Sequence, residues 1–439
     1  MTAIPTSNPM SADHPRYLGP LAARLFTLAA GTGAGLIILS VILAFATGVS
    51  KDRFFKSWLV AFMFVLAISL GGLFFTVVQH MTRAGWSVSV RRIAEAFASN
   101  LTWIWILFLP ILVAALMGGG KVLYPWMDPA KLDPANVEKF DFLYAHKSPW
   151  LNAGFWAVRA VVYLGIWAFL GWFFFNRSVR QDHDGDKAHT HAMQRLAPLA
   201  IIAFALTLTF AAVDWVMAIE AHWFSTMWGV YFFAISACGF FSALPITMYL
   251  LQRSGRIEND VTKEHFQDMG KLLFGFGVVF HAYIGFSQFM LIWYANIPEV
   301  TGWYITRTSG PWLPLMYLLP IGHFAIPFVL LVTKHTKRIP AVLALIAGWI
   351  LVMQFVDLYL LVHPKVPYAI ETAESLNEIR ELASTDPLKV GFSPHLIDIT
   401  LLLGLIALFV AGTAWRLRGV SLVPSRDPRL SEALNFENM

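Results

Sequence analysis

Long apolar runs separated by short polar segments are the dominant pattern of the chain. Each run holds about 20 residues, the length that a helix needs to cross ~30 Å of hydrocarbon. The runs lack the alternation of apolar and polar residues that marks the strands of a β-barrel. The pattern therefore predicts an all-α integral membrane protein with about ten transmembrane helices. The predicted spans are 25–48, 54–79, 93–117, 152–175, 196–219, 227–251, 271–294, 312–332, 340–362 and 395–417.

Two spans end on related sequences, which indicates an internal duplication. Span five ends in VDWVMAIEAH and span nine ends in FVDLYLLVH. Because four spans restore the original direction of the chain, the duplication predicts two four-helix bundles, spans two to five and spans six to nine, flanked by spans one and ten. In chain order, the predicted segments are an N-terminal segment 1–24, a flanking helix 25–48, a first bundle 54–219 with an outer loop 118–151, a second bundle 227–362, an outer loop 363–394 with a short amphipathic helix, a flanking helix 395–417 and a tail 418–439.

Composition and charge agree with a membrane protein and orient it. Of the 439 residues, 57% are hydrophobic and 13% are charged, whereas soluble domains carry about 25% charged residues. The N-terminus, the even-numbered connections and the C-terminus, counted with Lys271 and Arg416 at the adjoining span ends, together hold 20 of the 32 Lys and Arg residues. The positive-inside rule therefore predicts that both termini are cytoplasmic. This bias explains the basic isoelectric point of about 9.2 without a nucleic-acid partner.

The motifs of several redox and nucleotide sites are missing from the sequence. The single cysteine, Cys238, lies inside a predicted span and has no second cysteine for a disulfide. The chain contains no C-x-x-C-H sequence for haem c attachment, no cysteine set for an iron–sulfur cluster and no phosphate-binding G-x-x-x-x-G-K loop. We therefore expect no covalently bound cofactor and no metal site in this chain.

Polar and ionisable residues recur inside the apolar runs, and they are the candidate functional residues. An acid at the centre of a membrane helix costs roughly 2.5–3.5 kcal/mol on insertion scales. Such groups usually face the interior of a helix bundle, where they mark proton relays, ion paths or ligand sites. The candidates are Arg159, Asp214, Glu220, His222, His281, Gln288, His323, Gln354, Asp357 and His363.

Simpler roles compete with function for some of these residues. A single His or Gln in a span more often makes an interhelical hydrogen bond that holds helices together. Two histidines at equal depth on neighbouring spans, His281 and His323, are also a possible axial pair for haem b, although a pair alone is a weak signal. Arg83, Arg91 and Arg92, between spans two and three, are expected to anchor lipid headgroups.

Four stretches of the chain resemble the second large membrane subunit, the F subunit, of alternative complex III, a family related to the membrane subunit of polysulfide reductase. The resemblance extends over roughly residues 20–417. The stretches that carry it are DWVMAIEAHWFSTMWGVYFF (214–233), GKLLFGFGVVFHAYIGFSQFMLIWYANIPEVTGWY (270–304), GHFAIPF (322–328) and LVMQFVDLYLLVHP (351–364).

The resemblance implies a subunit of a quinol:electron-acceptor oxidoreductase in a bacterial cytoplasmic membrane. It implies partners that hold the redox centres: a multihaem cytochrome c, an iron–sulfur protein and a homologous C-type membrane subunit that oxidises quinol. In this family, buried acids and histidines are proposed to conduct protons, which by position would be Asp214, Glu220, His222, His281, His323 and Asp357 here. Menaquinone, ubiquinone, their quinols or a lipid are the candidate ligands.

A free-standing secondary transporter that couples transport to protons would use the same acids. Many such transporters contain inverted repeats and broken helices. The duplication in this chain is parallel, and Pro110, Pro245, Pro320 and Pro327 are the residues that would kink its spans. A third interpretation is a purely structural scaffold. Co-purification separates the first two, because a complex subunit is isolated with cytochromes and a transporter is isolated alone.

Overall fold

Ten long apolar helices form the molecule in the computed structural model, which describes residues 15–367, 370, 375–385 and 392–438. The chain is 78% helical, and the described residues contain no β-strand. All ten helices are long and apolar enough to cross a membrane, so the prediction of a multi-pass helical membrane protein is confirmed. The helices are α1 (Pro20–Ala46), α2 (Lys51–Met81), α3 (Val88–Gly118), α4 (Ala153–Asp184), α5 (Lys187–Glu220), α6 (Trp228–Arg253), α7 (Lys263–Ala295), α8 (Gly310–Val332), α9 (Pro340–Val362) and α10 (Leu396–Arg416).

Short helices lie in the connections between the long ones. At the end of the molecule where α1 begins and α10 ends, the terminal face, Lys334–Arg338 lies in a connection and Leu430–Leu434 lies in the tail after α10. At the opposite end, the loop face, they are Pro129–Leu132, Phe142–Lys147, Pro298–Arg307 and Leu376–Thr385. The last of these lies where the sequence predicts an amphipathic helix. Of the predicted terminal segment and outer loop, residues 1–14, 368–369, 371–374 and 386–391 lie outside the described residues.

Helices α2 and α6 occupy the centre of the molecule, where 94% and 78% of their most apolar stretches are buried. A Cβ atom on Gly71 would lie 2.2 Å from the backbone oxygen of Ser236, so the two backbones are in direct contact there. Helix α2 also packs against α3 and α5, and α4 packs against the same two helices. Helix α6 packs against α7 and α9, and α8 packs against those two helices in turn.

Helix α1 packs along α10, which in turn packs against α2. Small residues make this contact close, because a Cβ atom on Gly33 would lie 2.9 Å from the backbone oxygen of Gly404. The neighbouring glycines Gly31 and Gly35 face open space instead. Only one of the glycines on this helix therefore serves helix–helix packing.

An ion network at the terminal face joins α3, α4 and the C-terminal tail. Arg91 and Arg92 are 3% and 0% exposed, and both pair with Glu95, at 3.2 and 3.1 Å. Arg91 also pairs with Asp427 of the tail, and Arg92 lies 2.8 Å from Asp182 of α4. The expectation that Arg91 and Arg92 anchor lipid headgroups is therefore wrong. The sequence of residues 87–97 does not predict this network, because Asp427 lies more than 300 residues farther along the chain.

Candidate functional site

The ten predicted site residues fall into five places rather than one. The residues that share a place are Arg159 with Asp214; His281, His323 and Asp357, with Gln288 and Gln354 nearby; Glu220; His222; and His363. The second of these places is the only one of the five that borders the cavity described below.

Asp357 is the centre of the largest polar cluster, which we call the Asp357 cluster: Asp357, Tyr231, His281 and His323. The hydroxyl of Tyr231 donates to Asp357 Oδ1 at 2.7 Å, and Nε2 of His281 lies 3.1 Å from Oδ2. The rings of His281 and His323 stack with their centroids 4.1 Å apart. Asp357 is 1% exposed and the two histidines are 6% and 3% exposed. The cluster thus joins three titratable groups from α7, α8 and α9, with a tyrosine from α6.

Widened turns in two helices place the histidines of this cluster. Residues Leu273–Phe280 of α7 and Leu319–Ala325 of α8 are π-helical. Such turns are rare and often occur at functional sites, because they shift the register of the side chains that follow. His281 directly follows the first widened turn and His323 lies within the second. Pro320 lies in the second segment and has no backbone N–H to donate, which accounts in part for the widened turn.

The widened turn of α8 is held by its neighbour α9. The indole nitrogen of Trp349 donates to the backbone oxygen of Gly322 at 2.7 Å. Because Gly322 has no side chain, α9 approaches it closely, and a Cβ atom there would lie 2.7 Å from the sulfur of Met353. Both contacts fix the position of the adjacent His323.

A cavity of about 880 Å³ opens beside the Asp357 cluster. It lies between α7 and α8 and reaches the loop-face helix Pro298–Arg307, and its walls are mainly apolar and aromatic. All four residues of the cluster border it. Gln288 of α7 also borders it, as expected from its spacing of seven residues from His281 on one helix face.

The loop-face end of this cavity carries a second polar group. Nε2 of Gln288 donates to the hydroxyl of Tyr304 at 3.1 Å, and the hydroxyl of Ser225 donates to Oε1 of Gln288 at 3.2 Å. Burial raises the pKa of Tyr304 to about 12, so its hydroxyl keeps its proton at neutral pH. The cavity is therefore polar at two places, separated by about 10 Å of α7 at 1.5 Å per residue.

Gln354 lies one turn from Asp357 but does not border the cavity. Its side chain is fully buried against Gly239 of α6, where a Cβ atom would lie 2.9 Å from Nε2. Neither its Nε2 nor its Oε1 has a hydrogen-bond partner among the described residues, and the same holds for Oγ of Ser242 on α6. Buried groups of this kind are usually satisfied by internal water. They lie between the Asp357 cluster and the terminal face.

The paired histidines do not fit a haem b site. Two axial ligands must point their nitrogens at the iron from opposite sides of the macrocycle. The stacked rings of His281 and His323 are already at contact distance, which leaves no room for a macrocycle between them. Nε2 of His323 faces the thiol of Cys238 at 3.4 Å. In the part of the chain that the structure describes, no group of three His, Cys, Asp or Glu residues is arranged to hold a metal ion.

Asp214 lies in a second polar cluster with a different character. Nε and Nη2 of Arg159 donate to its two oxygens at 2.7 and 2.8 Å, Tyr163 donates at 2.9 Å and the indole of Trp150 donates at 3.0 Å. The guanidinium of Arg159 lies over the Trp150 ring, 4.2 Å from its centroid. The carboxylate is 0% exposed and receives charge-assisted hydrogen bonds on both oxygens. This arrangement suits a structural ion pair between α4 and α5.

Glu220 and His222 hold the loop face together. Oε1 of Glu220 accepts the backbone N–H of Val366 at 3.2 Å, and Nε2 of His222 lies 2.8 Å from Asp141. The ring of His222 also stacks on Tyr144 of the connection between α3 and α4. Neither residue borders the cavity. They lie apart from the Asp357 cluster, in contacts between loops.

His363 belongs to an ion cluster between α2, α9 and α10. Nη1 of Arg53 lies 3.2 Å from Nε2 of His363, and Arg53 also pairs with Asp398 at 2.6 Å. Burial lowers the pKa of His363, and the cations Arg53 and Lys56 lower it further. Its imidazole is therefore neutral at pH 7 and accepts the hydrogen bond from Arg53.

Several partners of the predicted residues carry no signal in the sequence. Tyr163 is an exception, because it lies one helical turn after Arg159 and so shares its helix face. Tyr231, Tyr304 and Cys238 are ordinary residues of apolar or aromatic stretches, and only the packing of α6 and Pro298–Arg307 brings them to the cavity and cluster.

Comparisons with known proteins do not assign the chain to a family. No protein-family model matches the chain, and no curated protein matches it.

Proposed function

We propose that this chain is an integral membrane subunit of a bacterial quinol:electron-acceptor oxidoreductase of the alternative complex III type. Its role would be to conduct protons without holding a redox centre. The resemblance of residues 214–364 to the F subunit suggests the complex. The Asp357 cluster is the observation that carries the proton role, because it joins a carboxyl and two imidazoles inside the membrane-spanning part.

The cluster has the chemistry that proton transfer needs. Histidine titrates near pH 6.5 and relays protons at working pH, and a carboxyl in direct hydrogen-bond reach of an imidazole exchanges a proton with it. In the proposed step, a proton leaves the Asp357 carboxyl for Nε2 of His281, which yields a carboxylate and an imidazolium. The Tyr231 hydroxyl donates to Oδ1 of Asp357 before and after this proton transfer and holds the carboxyl group in place.

Polar groups extend from this cluster toward both faces. Toward the loop face, Gln288 and Tyr304 border the same cavity. Toward the terminal face, the buried amide of Gln354 and the hydroxyl of Ser242 provide sites for internal water. Asp214, in contrast, is paired with Arg159 at 2.7 Å, and we assign it a structural role in the proposed subunit.

The helix contacts support the predicted architecture of two four-helix bundles. In that interpretation α2–α5 form one ring of neighbours and α6–α9 form the other, joined where α2 meets α6 and flanked by α1 and α10. Asp214 and Asp357 then occupy equivalent ends of α5 and α9, and each accepts a hydrogen bond from a tyrosine of another helix in its bundle. The excess of Lys and Arg at the terminal face supports cytoplasmic termini.

A proton-coupled secondary transporter is the second candidate. The observation that favours it is the cavity beside the irregular turns of α7 and α8, since transporter sites often lie where membrane helices are broken. In that case the Asp357 cluster would couple proton binding to a substrate in the cavity.

Gentle detergent purification of the tagged full-length chain from its native membrane tests the proposal. We expect a multihaem cytochrome c and an iron–sulfur protein to co-purify, haem c bands in the visible spectrum, and quinol:acceptor activity in the preparation. A single colourless chain would contradict membership of the complex and favour the transporter. A tag on a different bacterial multi-pass protein controls for cytochromes that bind the resin.

A further inference from the structure

Helix α3 changes its surroundings at a short break. Residues Asn100–Thr102 form a 3-10 turn between two α-helical halves, Val88–Ser99 and Trp105–Gly118. Every residue of the first half is buried, in packing against α2, α4 and the C-terminal tail. The second half exposes large apolar side chains, namely Trp105, Ile106, Leu109 and Val113. Because exposed apolar surface on a membrane-spanning helix faces lipid, the break marks the point where α3 begins to face lipid.

Two exposed tryptophans place this break at the level of the lipid headgroups. Trp105 of α3 and Trp415 of α10 are 43% and 53% exposed. The indole nitrogen of Trp105 donates to the backbone oxygen of Thr102 at 3.1 Å, and the Trp415 ring packs near Phe26 of α1, with centroids 5.1 Å apart. Tryptophan is enriched at membrane–water interfaces, because its ring is apolar and its N–H is polar. The break and the end of α10 therefore lie at the membrane boundary.

A half-buried arginine lies at this boundary without an acid. Arg416 ends α10, and its Nη2 donates to the hydroxyl of Thr102. That hydroxyl is its one hydrogen-bond partner among the described residues, which leaves most of the five guanidinium N–H donors for another acceptor. The buried arginines Arg91, Arg92 and Arg159, by contrast, each pair with a carboxylate. Burial of a cation is costly unless an anion accompanies it, so this position favours an external anion.

A second arginine follows two residues later. Arg418 is exposed, and its guanidinium lies over the Trp415 ring, 5.8 Å from the centroid. Within residues 15–367, 370, 375–385 and 392–438, no acid pairs with it. Guanidinium groups bind phosphate oxygens through two parallel N–H donors, which suits phosphate better than a single carboxylate oxygen. The two arginines therefore supply positive charge and phosphate-binding geometry at the depth of the headgroups.

Apolar surface suited to acyl chains lies directly below these arginines. Helix α10 packs against the first half of α3 and the break, whereas the second half of α3 packs against α2 and α4. Leu109 and Val410 lie about 10 Å below the break and the end of α10, at 1.5 Å per residue, and both are exposed. Leu403 continues this surface along α10. A free phosphate ion would leave the apolar surface unused, whereas a phospholipid would cover it.

We infer that an anionic phospholipid binds at the break of α3, with its phosphate at Arg416 and Arg418 and its acyl chains between the second half of α3 and α10. Charge complementarity selects this occupant, since two cations without acids lie directly above a lipid-facing apolar surface. The inference goes beyond the proposed function and does not depend on it. A complex subunit and a free-standing transporter would carry the same site.

Lipid retention in native mass spectrometry tests the inference. The full-length chain, alone or in its complex, is stripped of lipid with detergent and incubated with phosphatidylglycerol at an equimolar ratio. We expect one phosphatidylglycerol to stay bound, and phosphatidylcholine with the same acyl chains to be retained about fivefold less or weaker. Equal retention of the two lipids would overturn the inference. Displacement of phosphatidylglycerol by millimolar inorganic phosphate would show a site for free anions and would also overturn it.

Three arginine variants separate this site from general attraction of anionic lipid. Arg416→Gln and Arg418→Gln are each expected to weaken phosphatidylglycerol retention about fivefold. Arg195→Gln is the matched control, because Arg195 is also exposed near the terminal-face end of α5 and has no ion-pair partner in the part of the chain that the structure describes. We expect it to retain the lipid fully. Equal retention in all three variants, or equal loss in all three, would overturn the inference.

Photolabelling locates the lipid even if Arg416→Gln does not fold. Phosphatidylglycerol with a diazirine in one acyl chain is added to the stripped, unmodified protein at the same equimolar ratio and irradiated, and labelled peptides are mapped by mass spectrometry. We expect labels concentrated in residues 105–113 and 403–410, and about fivefold fewer labels there in Arg418→Gln, whose side chain is exposed. Labels spread evenly over the lipid-facing helices, or concentrated elsewhere, would overturn the inference.

Discussion

At the scale of single residues, the contrast between the two buried acids is the main result. Asp214 accepts four hydrogen bonds, two of them from Arg159, whereas Asp357 accepts one from Tyr231 and faces the titratable His281. An arginine stays protonated at all working pH values, but an imidazole does not. The sequence marks both acids equally, since each ends an apolar run. Only their hydrogen-bond partners distinguish the two acids.

The Arg159–Asp214 pair is expected to behave as a structural unit. Removing one partner of a buried ion pair leaves an uncompensated charge and costs roughly 3–5 kcal/mol, whereas removing both is often close to neutral. We therefore expect Asp214→Asn to lower the thermal unfolding temperature in detergent clearly more than the double variant Asp214→Asn/Arg159→Met does. If the single and double variants unfold at the temperature of the unmodified protein, the pair is not structural.

His363 is expected to make stability depend on pH. Burial, then Arg53 and Lys56, lower its pKa in the folded state, so the unfolded chain binds a proton that the folded chain excludes. The contribution of the neutral His363 imidazole to folding stability is complete above the unfolded-state pKa of about 6.5. It is lost as the pH falls below that value.

The measurement is the unfolding temperature from pH 8 to pH 5 in detergent. We expect His363→Gln to show a smaller loss on acidification than the unmodified protein, because glutamine does not titrate. Parallel curves for the two proteins would show that another group controls the acid response.

At the scale of helices, the apolar pattern of the sequence predicts where a helix exists better than it predicts which other helices it contacts. All ten spans are found, with ends that differ by up to nine residues from the predicted ones, as for α4 and α5. The departures have physical causes. Polar residues such as Gln181 and Thr190 extend these helices past the apolar run because they hydrogen-bond each other across the α4–α5 connection. The widened turns of α7 and α8 depend on tertiary contacts that no local pattern contains.

The glycine contact between α2 and α6 is expected to be indispensable for folding. A side chain on Gly71 would overlap the backbone of Ser236, which cannot move away without separating the two central helices. Gly71→Leu is therefore expected to abolish accumulation of monodisperse protein, whereas Gly165→Leu, on an open face of α4, is expected to leave it unchanged. Fluorescence-detected size-exclusion chromatography measures both, and equal profiles would contradict the proposed packing.

At the scale of the whole molecule, residues of both terminal segments hold the helix ends at the terminal face together. Leu422 donates its backbone N–H to Arg16 at 2.7 Å, and Arg16 pairs with Asp260 beside α6 at 2.6 Å. Farther along the tail, the Phe436 ring packs near Trp86 and His265, at centroid distances of 6.0 and 5.6 Å. The sequence predicts a polar cytoplasmic tail but not its contacts, because its charges pair with residues that are distant in the chain.

Truncation of the C-terminal tail is expected to separate its contribution to stability from the proposed proton role. Deleting residues 424–439 removes Asp427, one of the two ion-pair partners of Arg91, and the ring contacts of Phe436, but leaves the Asp357 cluster untouched. We expect a lower unfolding temperature with proton and electron transfer retained at low temperature. Loss of turnover in a truncated complex that keeps its subunits would show that the tail has a direct functional role.

The central claim is that the Asp357 cluster exchanges protons, and proton stoichiometry tests it most directly. The complex carrying Asp357→Asn is reconstituted in vesicles, and quinol:acceptor turnover and protons moved per electron are measured together, with exposed Asp133→Asn as the control for the same chemical change. The account predicts an intact set of subunits, with turnover reduced about tenfold or more, or with fewer protons per electron. Unchanged turnover and unchanged stoichiometry in Asp357→Asn would contradict it.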